Sequence, residues 1–64
     1  MMMAYQQRVM DEKNQLAERL GKLNDFMLGT VFLSLTNDEK NRLNRQGKIM
    51  QLYLDVLEER VEAF

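Results

Sequence analysis

Three features of the 64-residue sequence predict an all-α fold, an antiparallel two-helix hairpin that assembles into a homo-oligomer. Apolar residues recur at three- and four-residue spacing in both halves of the chain. No stretch alternates apolar and polar residues as a half-buried strand would, and β-branched residues do not cluster. Pro is absent, and the three Gly are at 21, 29 and 47, so few residues interrupt long helices.

Helix 1 is expected over about residues 3–28, a connection over about 29–36, and helix 2 over about 37–63, all within one domain. In helix 1, Tyr5, Val9, Leu16, Leu20, Leu23 and Met27 fall in one narrow stripe at about 100° per residue. The stripe is interrupted at Glu12 and Lys13. Gly29 is placed to supply a left-handed residue that ends the helix. Val31, Phe32, Leu33 and Leu35 are too apolar for a free loop, so a turn plugging the closed end of the hairpin is expected. Thr36 with Glu39 three residues later forms a capping box, and Asp38 and Glu39 suit the positive end of the helix dipole. So short a connection sets the two helices antiparallel.

In helix 2, Leu43, Gly47, Met50, Leu54, Leu57, Val61 and Phe64 make an unbroken seam facing the helix 1 stripe. Gly47 in that seam allows either a close helix approach or a backbone contact with a ligand. A second stripe, Ile49, Leu52 and Val56 with Tyr53 beside it, widens the apolar arc to roughly 220°. One partner helix does not cover such an arc, so a homo-oligomeric interface is expected there. Size points the same way. A domain of about 60 residues buries only about 60% of its unfolded surface, and small chains usually need disulfides, a metal or oligomerisation. With no Cys and no His, the first two routes have no thiolate or imidazole to use.

Composition narrows the function classes. Nine Lys+Arg against ten Asp+Glu is not the basic excess of a DNA or RNA binder. No apolar run approaches the ~20 residues of a membrane span, and the Met1–Met3 start is too short for a signal peptide, so a cytoplasmic protein is expected. Without Cys, His or a Gly-rich phosphate loop, and with carboxylates such as Glu58 and Glu62 on a solvated face, no enzyme, metal or cofactor is expected.

The cations are nevertheless sorted. Arg42, Arg45 and Arg60, with Gln46, flank the second stripe, while Arg8, Arg19 and Lys22 flank the helix 1 stripe. Two readings follow: the arginines pair with carboxylates such as Glu12 across an interface, or they form a buried anion site suited to their fixed fork of donors. Lys13 with Glu12 is either a tolerated surface pair or a charge kept for a ligand such as phosphate. Tyr5 is either a core or interface aromatic or a platform on which a base stacks.

The run Tyr5-Gln6-Gln7-Arg8-Val9, then Asp11-Glu12-Lys13, Leu16, Lys22-Leu23 and Phe26, resembles a small phage-encoded helical-hairpin family. The resemblance continues through Phe32, Leu35, Glu39, Leu43, Gln46, Met50, Tyr53, Val56-Leu57, Arg60-Val61 and Phe64, and so spans nearly the whole chain. The family is that of the phage anti-CBASS and anti-Thoeris sponges, which sequester cyclic oligonucleotide or cyclic ADP-ribose messengers. The resemblance implies a compact oligomer, typically a hexamer, holding cyclic di- or trinucleotides between protomers without cleaving them. It implies phosphate contact for Lys13, base stacking for Tyr5, and a phosphate clamp from Arg42, Arg45 or Arg60. It also leaves a second expectation: such hairpins serve as structural or protein-interaction modules with no nucleotide ligand.

Overall fold

A computed structural model describes residues 2–64, and every element in it is helical: α1 (Ala4–Met27), α2 (Thr30–Leu33) and α3 (Asn37–Glu62). The long helices begin and end within a residue or so of the expected positions. At the start of α1 the Gln6 side chain accepts from the Met3 backbone N–H at 2.9 Å. At the start of α3 the Thr36 hydroxyl accepts from the Glu39 N–H at 3.2 Å, which satisfies one of the orphan donors there. The reciprocal arm of the expected capping box is not made. The Glu39 carboxylate instead accepts from Arg42 Nε at 2.7 Å.

Gly29 is not left-handed. Its φ is −89° and its ψ 171°, and no described glycine has positive φ. Instead α1 closes through Leu28 in a right-handed conformation, and the Gly29 N–H reaches the Phe26 carbonyl at 3.1 Å. A Cβ on Gly29 would lie 3.4 Å from that carbonyl oxygen, at contact distance, so neither the backbone angles nor the space around it demands a glycine. Gly29 then caps α2, the single helical turn into which the apolar connection coils. Of that connection, Phe32 and Leu35 are half-buried, and Phe32 packs edge-on against Phe26 at 6.5 Å. Val31 and Leu33, expected in the same plug, are 59% and 69% exposed because consecutive residues of one helical turn cannot all face inward.

The core is a thin seam: Val9, Leu16, Leu20, Leu54 and Leu57, with Met50 and Val61 packed beside it. Tyr5 meets Phe64 at one end, and Leu23 lies beside Gly47 towards the other, so α1 and α3 pack antiparallel. Gly47 allows this approach with room to spare, since an added Cβ would sit 3.7 Å from Leu23 Cδ2. The molecule measures 49 × 15 × 14 Å, with a radius of gyration of 14.7 Å. A compact domain of this length would have a radius of gyration of about 11 Å. Elongation leaves the second stripe uncovered: Ile49 and Leu52 are each 66% exposed, and Tyr53 and Val56 are exposed beside them.

A candidate anion recess at the closed end

The first half of α3 carries Lys40, Arg42, Arg45 and Lys48 against Asp38 and Glu39, so cations outnumber anions there within a nearly neutral chain. Helical spacing sets Arg42, Arg45, Gln46, Ile49 and Met50 on adjoining turns, where they line an open recess of about 300 Å³. Ile49 and Met50 give it an apolar wall, and the two arginines and the Gln46 amide give it donors. An adjoining polar groove of about 610 Å³ runs along Asp38, Asn41, Asn44 and Lys48 and shares Arg42 and Arg45 with the recess.

The electrostatics separate the two arginines. Glu39 occupies the Nε–H of Arg42, leaving its terminal nitrogens as donors. Among the described residues the only ion pairs are Arg42–Glu39 and Lys22–Glu18, so Arg45 has no carboxylate partner among them. Gln46 is occupied only by a weak 3.8 Å contact from its amide to Met50 Sδ.

Of the seven residues singled out in the sequence, Arg42, Arg45 and Gln46 converge on this recess. The other four do not reach it on the same chain. Tyr5 packs edge-on against Phe64 with centroids 5.9 Å apart, at the open end. The antiparallel register places Arg8 opposite the last turns of α3, where Arg60 also lies. Lys13 is half-buried in the interrupted seam, near the level of Leu57, about 18 Å along the axis from Arg45. Within one chain, therefore, Lys13 and the helix 2 arginines are not one site. Ile49 and Met50 were legible only as apolar stripe residues. Their place in the recess follows from their three- and four-residue spacing from Arg42, Arg45 and Gln46.

Fold and recess together define a small all-helical protein with an arginine-fronted hollow beside a large uncovered apolar face. The chain belongs to the Sequestin family, whose model matches residues 3–63. It is also similar to an uncharacterized 7.5 kDa protein from the denB–rIIB intergenic region of Enterobacteria phage T4, at 35% identity over 63 residues, covering 98% of each chain. No solved structure matches.

Proposed function

We propose that this protein is a phage immune-evasion sponge that binds cyclic di- or trinucleotide, or cyclic ADP-ribose-type, messengers in the host cytoplasm and withholds them without cleavage. It acts as a homo-oligomer, a hexamer by its likeness to the sponge hairpins. The observation that carries this reading is the recess in which Arg42 and the unpaired Arg45 stand over an apolar wall of Ile49 and Met50. Phosphates meet the guanidinium forks, and a base or ribose edge lies against the wall. Membership of a family whose name denotes sequestration, and similarity to a phage protein over nearly the whole chain, support it.

Isothermal titration of the folded protein against cyclic dinucleotides, cyclic trinucleotides and cyclic ADP-ribose isomers tests the proposal. At least one compound binds, is recovered intact from the denatured complex, and loses affinity with Arg42→Ala and Arg45→Ala. Absence of binding across the panel overturns the reading. Lys13→Ala in the same titration decides whether the phosphate contact implied for Lys13 is made by a neighbouring copy. A second reading, a protein-interaction hairpin, rests on the exposed Ile49, Leu52 and Val56, and is favoured if no nucleotide binds while a phage or host protein is retained by that face.

A further inference from the structure

The recess is less cationic than its arginines suggest. The Glu39 carboxylate accepts from Arg42 Nε at 2.7 Å, and Asp38 lies among the cations of the adjoining groove. Arg42, Arg45 and Lys48 against Asp38 and Glu39 is three cations against two carboxylates, which leaves one positive charge in excess. Glu39 is the third residue of α3, where the Glu of a capping box reaches back to the backbone N–H of the cap residue. Here it leans forward to Arg42, so its carboxylate serves the arginine and not the helix end. A guanidinium meets an oxyanion along either of two edges, Nε with one terminal nitrogen or the two terminal nitrogens together. With its Nε–H held by Glu39, Arg42 keeps only the second.

We propose that Glu39 is a positioning and specificity-determining residue of the recess. It turns Arg42 end-on and trims the local charge to that of one phosphodiester, so cyclic nucleotides are taken in preference to nucleotides with a terminal phosphate. This role rests on the sponge reading of the same site. Each phosphate of a cyclic nucleotide is a diester with a single negative charge, which the one excess positive charge offsets. A terminal phosphate carries about 1.5 to 2 negative charges at pH 7. Its further charge meets no spare cation and lies against the Glu39 carboxylate. Arg45, with no carboxylate partner among the described residues, supplies the general attraction, and Glu39 supplies the discrimination. The Arg42 and Glu39 side chains are 58% and 44% exposed, so water and salt screen them and the discrimination is several-fold, not absolute. A sponge benefits because it holds its ligand without turnover. A site filled by an ordinary mononucleotide is a site lost to the messenger.

Isothermal titration of the full chain compares cyclic di-AMP, cyclic di-GMP and cyclic tri-AMP with the linear forms of the same compounds that carry a terminal phosphate. The parent binds at least one cyclic compound about 5-fold or more tighter than its linear form. Glu39→Gln removes the charge but keeps an acceptor for the Arg42 Nε–H. It narrows that preference by about 3-fold or more. Glu39→Ala lacks both charge and acceptor, and binds the cyclic compound about 3-fold or more weakly than Glu39→Gln does. Both variants keep the fold in circular dichroism melts, because the Thr36 cap uses the Glu39 backbone N–H and not its side chain. An unchanged preference in Glu39→Gln overturns the charge matching, and equal binding by Glu39→Gln and Glu39→Ala overturns the positioning. A parent that prefers the linear forms overturns both. If Arg42→Ala abolishes binding of a cyclic compound and neither Glu39 variant alters it, the sponge reading stands and the role of Glu39 falls. If no cyclic compound binds the parent, the sponge reading itself falls and the role of Glu39 with it.

Discussion

Tyr5 and Phe64 meet edge-to-face, with ring centroids 5.9 Å apart and planes at 81°, so the first turn of α1 is tied to the residue that follows α3. The contact closes one end of a seam in which, among the described residues, five side chains are buried. Edge-on aromatic pairs are worth about 0.5–1.5 kcal/mol beyond the area they bury. A double-mutant cycle of Tyr5→Ala and Phe64→Ala, read by thermal melts, is expected to return a coupling in that range. Strictly additive losses would show that the rings merely lie near each other.

Leu57 is 1% exposed and is the most enclosed side chain of the seam. Leu57→Ala should cost about 2–5 kcal/mol, a large fraction of what so small a chain can hold, and is expected to leave it mostly unfolded at 37 °C by circular dichroism. Leu52→Ala, on the uncovered face, should change the melt of the isolated chain by no more than about 0.5 kcal/mol at dilutions where no self-association occurs.

Two glycines offer stabilisation and one does not. A Cβ at Gly21 meets nothing within 4 Å, and one at Gly47 lies at ordinary distance from Leu23, so each Gly→Ala change removes backbone freedom from the unfolded chain without a clash. Gains of about 0.5–1 kcal/mol are expected, or a few degrees in Tm. Gly29→Ala would touch the Phe26 carbonyl only at contact distance, but it replaces the N-cap of α2, where glycine is favoured over alanine, and is expected to lose that gain.

Thr36 holds the Glu39 N–H, the one side-chain cap at the start of α3. Thr36→Ala should lower stability by about 1 kcal/mol, whereas Thr36→Ser should keep most of it. Equal melts for the two variants would show that the hydroxyl contributes nothing.

The helices were legible because their signals are local: seam spacing over 24 and 26 residues, and a cap residue before Asn37. The behaviour of Gly29 was not, because glycine suits both a left-handed helix end and the extended cap of a following helix, and only the fold distinguishes them. The same division runs through the candidate site. Arg42, Arg45 and Gln46 fall together because they share adjoining turns of one helix. Periodicity fixes the side of a helix on which a residue lies, but not the height at which another helix passes it. That height depends on how the connection folds, and here the single helical turn Thr30–Leu33 takes part in setting it. Lys13, Arg8 and Tyr5 shared a suggestive side without sharing a level with the recess.

The connection also sets the order of folding. Phe26 and Phe32 are six positions apart in the chain, whereas Tyr5 and Phe64 are separated by nearly all of it. Loop-closure entropy grows with that separation, so the pairing that closes first is the one at α2, and the rest follows rung by rung away from it. The chain is thus expected to close as a zip started beside the arginines and finished at the aromatic clasp. Amide exchange should quicken towards the clasp, and partial opening would leave the recess formed while the far end breathes.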